Sequence, residues 1–153
     1  MLKNLNRLIV ALCVSAAMNV SAGHHEASDT AAKDLVVAAY ATFASGDTDA
    51  WAAIHTDDLQ FTVFGQLPQS GVFIGQQAVI DNVFAKIAAH WPEFSVTPIN
   101  FDVVGDTVYV HNKMTAAGLD SETMHMFRLR DGKIAAFTAF EDTDSMRQAM
   151  VTP

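Results

Sequence analysis

His125 is the residue best placed by type and spacing to do chemistry. It sits in the run Ser121–Arg130, where Thr123, Phe127 and Leu129 share its parity and Met124, Met126, Arg128 and Arg130 take the other. Strand alternation sends these sets to opposite faces. The apolar set should face a core or pocket and carry His125 with it. An imidazole there can act as acid or base near neutrality. The competing reading is a hydrogen-bonded core histidine with no such role. Glu141 ends the next strand on the parity of Phe137 and Ala139. If that face is inward, its carboxylate sits at the pocket mouth and can orient or charge-pair His125. If not, it is a solvated carboxylate beside a helix cap. Tyr40, Trp51, Phe61, Val63, Phe84, Phe101, Thr123 and Phe137 are the residues expected to contact a ligand in an apolar cavity.

Other chemistries find little support. There is no His-Glu-x-x-His, no cysteine pair, no glycine-rich phosphate loop and no Gly-x-Ser-x-Gly. No cofactor is expected. One low-specificity metal site is His24 and His25, which follow Gly23 and would form a square-planar copper chelate if Gly23 became the N-terminus. His55 and His90 are read as ending helices, where the dipole favours a cation. Asp57 and Asp58 are read as turn and cap residues closing a short helix. His111 and Lys113 share a parity with Tyr109, and the sequence does not assign their face. A formal net charge of −8 argues against sequence-independent nucleic-acid binding, which needs Lys and Arg.

The elements that must position these residues follow from periodicity. The length, 153 residues, fits one domain. Leu35, Ala39 and Phe43, at i, i+4 spacing, mark an apolar helical face, with Asp29 or Thr30 as candidate cap. Asp47 caps a second helix carrying Trp51 and Ile54. Leu59, Phe61 and Val63 alternate as a strand, and Val72–Ile74 is another. Val79, Val83, Phe84, Ile87 and Trp91 mark a third helix, stopped by Pro92. Four strands follow, with turns at Gly105-Asp106, Gly118-Leu119-Asp120 and Asp131-Gly132. Asp142-Thr143 opens a short final helix. This order gives an α+β architecture of consecutive hairpins, with helices over the concave face of a strongly bent antiparallel sheet.

Residues 1–22 read as a signal peptide. Lys3 and Arg7 precede the apolar stretch Leu8 to Met18, and Val20-Ser21-Ala22 offers a cleavage site. Cleavage would remove Cys13, the one cysteine, which suits an oxidising periplasmic or extracellular compartment. Residues 23–28 would be a flexible mature N-terminus and 29–150 the domain, with no membrane association after cleavage. An uncleaved anchor is the alternative.

Three segments together resemble the SnoaL-like and ketosteroid-isomerase-like group: Gly46 to Phe61, Leu67 to Val79, and His125 to Ile134 followed by Asp142-Thr143. The resemblance implies the nuclear transport factor 2-like cone, with three helices over the bent sheet. It does not carry over the steroid-isomerase site. The general base would fall at Val63, the buried carboxylic acid at His125, and the oxyanion tyrosine next to Tyr40. The expected function is binding of a small, largely apolar organic molecule, with cofactor-free acid–base chemistry of isomerase, cyclase or lyase type at His125. The alternative is a non-catalytic binding or accessory protein using the same cavity. Met124 and Met126, beside Arg128 and Arg130, suggest an adaptable outer face, and the group often pairs through its sheet, so a homodimer is expected.

Overall fold

The computed structural model describes residues 17–153, with side chains described from residue 26 onward. The first helix, α1 (Ala17–Ser45), starts earlier than the Asp29 or Thr30 cap expected from sequence and runs through 23–28, the segment expected to be loose. No proline interrupts this stretch, and alanines on both sides favour propagation once the helix exists. Thr30 accordingly donates its hydroxyl back to the Glu26 carbonyl at 2.9 Å, within the helix. Most of the 1–22 segment lies outside the described residues, as do the side chains of His24 and His25.

The end of α1 is set by Gly46 at φ +70°. Its N–H reaches the Phe43 carbonyl and the Asp47 N–H reaches that of Thr42, both at 3.1 Å. This paired closure needs a left-handed residue at Gly46. Asp47 then caps α2 (Thr48–Ala53) by accepting from the Ala50 N–H. The next strand, β1 (His55–Val63), begins four residues before the expected Leu59. Asp57 and Asp58 lie within it, beside a register irregularity, and do not close the helix. Asp58 pairs with Arg130.

The hairpin partner of β1 is β2 (Gly71–Ile74). The third expected helix is a composite. It comprises α3 (Gln76–Val79), one π-helical turn over Ile80–Phe84, and α4 (Ala85–His90). Four strands follow: β3 (Ser95–Val104), β4 (Thr107–Ala116), β5 (Leu119–Arg130) and β6 (Lys133–Phe140). Asp142 caps α5 (Thr143–Ala149) by accepting from the Ser145 N–H at 3.1 Å.

The strands form one curved, unclosed six-stranded sheet in the order β2-β1-β6-β5-β4-β3. Its pairs are antiparallel except β1 with β6, which run parallel. The sequence reading missed this pair because it assumed consecutive hairpins. The β1–β2 hairpin instead returns, after three intervening strands, to the free edge of β6. The parallel register sets Phe61 beside Phe137, and the two rings stack at 4.1 Å.

Two cores result. The larger gathers Val36, Trp51, Leu59, Val83, Val110 and Ile134 between the helices and the concave face. The smaller gathers Leu67, Trp91, Met114, Leu119 and Met146 where α5 covers one end. Trp91 Nε1–H donates to the Met146 carbonyl at 2.8 Å in this second core. Trp91→Phe keeps most of the ring but leaves that carbonyl unpaired. It should lower stability by about 1–3 kcal/mol in chemical denaturation, with an unchanged far-UV spectrum.

Candidate active site

The concave face and the helices bound a cavity that opens to solvent. Its wall is mainly aromatic and aliphatic, with Phe43, Trp51, Phe61, Phe84, Phe127 and Phe137 among its residues. Among the described residues that line it, none is Lys or Arg. The π turn brings Val83 and Phe84 to the wall, with Ile87 one turn on. The extra residue per turn adjusts which side chains face inward, a common use of such turns at functional sites.

His125 faces this cavity. On β5 it lies between the exposed Met124 and the half-buried Met126 and stands opposite Val110 of β4 and Ala139 of β6. It is 6% exposed. Its ring lies parallel to Tyr40, with centroids 5.9 Å apart, and meets Phe137 edge-on at 4.8 Å. The Tyr40 hydroxyl is 2.9 Å from Nδ1. On the other side of the ring, Glu141 Oε1 is 3.8 Å from Nε2. Both side chains of that second pair are almost fully enclosed, at 7% and 10% exposure. The separation exceeds a hydrogen bond, and both His125 Nε2 and Glu141 Oε2 lack a partner.

Burial raises the Tyr40 phenol well above its ordinary pKa; the Asn112 amide opposes this and the Glu141 charge adds to it. The phenol therefore remains an O–H. Glu141 keeps its inward position because the chain turns directly after it. Asp142, held below the ordinary carboxylate range by the Ser145 hydroxyl and N–H and by the Ser121 hydroxyl, anchors that turn.

The structure places Tyr40, Trp51, Phe61, Val63, Phe84 and Phe137 on the cavity wall, as the sequence predicts. Two expected ligand contacts lie elsewhere. Phe101 sits behind Tyr40, edge-on at 6.5 Å, with the Lys33 ammonium 5.2 Å from its ring centre. Thr123 shares the inward parity of His125 but donates its hydroxyl to the Phe140 carbonyl at 3.2 Å, away from the cavity wall. His111 and Lys113 face outward and pair with Glu122 and Asp120.

His55 is not a cation on a helix dipole. It opens β1, is 1% exposed and lines the cavity. Its Nδ1–H donates to the Trp51 carbonyl at 2.6 Å, and its ring lies 3.9 Å from that of Trp51. Burial lowers its pKa to about 4; the bond to Trp51 opposes the shift and the Lys133 charge adds to it. The four-residue spacing of Trp51 and His55 was the available clue, since it puts both on one side of the chain. Gln69 also lines the wall, 1% exposed, from the loop between β1 and β2. No periodicity marks it there.

The family model described as SnoaL-like domain matches residues 36–137. The chain belongs to the SnoaL-like family. No curated protein matches it. Among solved structures, the SnoaL-like chain is similar to an NTF2-like protein from Burkholderia thailandensis E264, with 24% identity over 77% of this chain and 95% of that one, at a TM-score of 0.70. A candidate SnoaL-like polyketide cyclase from Jannaschia sp. CCS1 aligns at 20% identity over 82% and 94%, with a TM-score of 0.70. TerC, co-crystallised with polyporic acid, aligns at 19% over 78% and 97%, also at 0.70. These likenesses establish the nuclear transport factor 2-like fold.

The buried His55 makes the SnoaL-like domain sensitive to mild acid. Its folded pKa of about 4 lies below the ordinary 6.5. Above 6.5 the ring is neutral in both states and its contribution is fully present. As pH falls from 6.5 towards 4, only the unfolded chain takes up the proton, so stability drops, by about 3 kcal/mol in total. Denaturant titrations across this range should show a shallower loss in His55→Gln than in the wild type.

Proposed function

We propose that this SnoaL-like domain binds a small, largely apolar organic molecule in its cavity and performs cofactor-free acid–base chemistry on it. His125 and Glu141 are the reacting groups and Tyr40 positions the imidazole. The observation that carries this reading is the convergence of Tyr40 and Glu141 on opposite nitrogens of one buried imidazole. A binding cavity needs only a few polar groups to orient a ligand. Proton transfer requires a titratable group held within reach of the ligand, and the partners on either side of His125 hold it in one orientation. The likeness to candidate polyketide cyclases and to TerC, co-crystallised with polyporic acid, supports an organic ligand.

The geometry divides the labour. A carboxylate at Glu141 favours the imidazole tautomer with its proton on Nε2, because the other turns a lone pair towards a negative oxygen. The Tyr40 O–H then donates to Nδ1. His125 presents an N–H and Glu141 a basic oxygen to the same ligand. At a carbon beside a carbonyl, Glu141 takes the proton while Nε2–H stabilises the charge developing on the carbonyl oxygen. Returning that proton to a different carbon gives an isomer. Attack by the enolate carbon on a second carbonyl closes a ring.

Deuterium incorporation beside the carbonyl of cyclic ketones, followed by NMR, tests this reading. The wild type should accelerate exchange, and His125→Ala and Glu141→Gln should each slow it by about 100-fold or more with circular dichroism unchanged. Saturable binding without exchange would assign the cavity to a non-catalytic binding protein.

Export and pairing belong to the same proposal. The basic and apolar pattern of residues 1–22 supports secretion with cleavage after Ala22. Mass spectrometry of the protein recovered from an exporting host should find Gly23 as the first residue, and an intact Met1 would refute cleavage. The outer sheet face, with Met124 39% exposed beside Arg128 and Arg130, supports a homodimer through the sheet.

A further inference from the structure

Three polar atoms on the cavity-lining residues have no partner: His125 Nε2, Glu141 Oε2 and Gln69 Oε1. The mechanism above uses the first two residues and leaves Gln69 without a role. A buried amide with an unpaired oxygen is costly unless a ligand completes it. Its orientation follows from its neighbour. Gln69 Nε2 lies 3.9 Å from Met146 Sδ. A thioether sulfur accepts weakly and cannot donate, so the amide turns its NH₂ to the sulfur and keeps its oxygen free.

Gln69 and Glu141 are held against the same element. Glu141 immediately precedes the Asp142 cap of α5, and Gln69 rests on Met146 within that helix. The loop carrying Gln69 is fixed by the Leu67 N–H to Ser70 Oγ and the Ser70 N–H to the Leu67 carbonyl, each at 2.9 Å. A Cβ at Gly65 would come within 2.7 Å of the Thr143 methyl, so this loop seats tightly on the start of α5. Gln69 and Glu141 therefore stand together at the α5 end of the cavity, and among the described residues lining it none is Lys or Arg.

We propose that Gln69 is a specificity-determining residue: with Glu141 it forms an acceptor wall that selects a neutral ligand carrying an O–H or N–H donor and rejects carboxylates and phosphates. This rests on the cavity reading above and deepens it by naming the ligand class. A donor group fills the orphaned Gln69 oxygen; a hydrocarbon leaves it unpaired; an anion meets the Glu141 carboxylate with no Lys or Arg among the described lining residues to offset it.

Three probes of one ring size test the proposal: 2-naphthol, naphthalene and 2-naphthoate, titrated into the full chain at pH 7 by fluorescence. The wild type should bind 2-naphthol about tenfold more tightly than naphthalene, and 2-naphthoate more weakly than either. Gln69→Leu, close in volume, should reduce the naphthol-to-naphthalene ratio several-fold and leave naphthalene binding equal or tighter. Equal wild-type affinity for 2-naphthol and naphthalene, or preference for 2-naphthoate, overturns the acceptor wall while leaving the cavity reading intact. A naphthol preference unchanged in Gln69→Leu overturns the role of Gln69. Saturable binding of none of the three overturns the cavity reading and this proposal with it.

Discussion

The cavity depends on β1 lying parallel beside β6. That pair joins the first third of the chain to the last. It sets Phe61 on Phe137 and brings Trp51 and His55 to the wall opposite His125. Parallel pairing demands a long crossover, here the whole of β2, the composite helix and β3 to β5. The helices within that crossover then have a concave face to cover. Without the β1–β6 contact the last hairpins would still form, but their apolar face would stay open on one side. The β1–β2 hairpin alone is too small to be stable.

The same enclosure raises the cost of every polar group inside it. The fold meets that cost unevenly. His55 is held neutral and paired to a backbone carbonyl. Asn112 donates to the Val110 carbonyl but leaves its own Oδ1 unpaired. Tyr40 satisfies one nitrogen of His125. At the α5 end the accounting is incomplete, with orphaned atoms on His125, Glu141 and Gln69. Thr56 Oγ1 and Asn112 Oδ1 are orphaned too, but the first three belong to residues lining one cavity, where the proposed ligand would complete the network.

Much of the arrangement was legible in local patterns. Parity along β5 was enough to turn His125 inward with Phe127 and to send Met124, Arg128 and Arg130 outward. Asp47 and Asp142 were readable as caps because their side chains sit one residue ahead of apolar-periodic segments. What escaped depends on tertiary pairing. Parallel β1–β6 contact leaves no turn signature. His55 looked like a helix end because the strand begins before its alternating residues do. Thr123 has the right parity, but its hydroxyl finds a backbone acceptor. Phe101 has an aromatic side chain suited to the wall, yet Tyr40 stands in front of it. Gln69 belongs to a loop, where side-chain direction follows from packing against α5 and not from any repeat.

The sheet register also shows how this cavity differs from the steroid-isomerase arrangement it resembles. Val63, at the position of that arrangement's base, pairs with Ala139, which pairs in turn with His125. The three stand in one row across the floor of the cavity. Glu141 is two residues beyond Ala139, just past the strand end on the same inward parity. Two residues of strand advance about 7 Å. Relative to Val63, the carboxylate therefore lies one inward position along the sheet and one strand across it, at the α5 end. Glu141 lines the cavity from the α5 end, and Val63 is part of its apolar wall. The fold is shared, but an imidazole, His125, stands where that arrangement has its buried carboxylic acid, and the one carboxylate among the described lining residues is Glu141 at the α5 end.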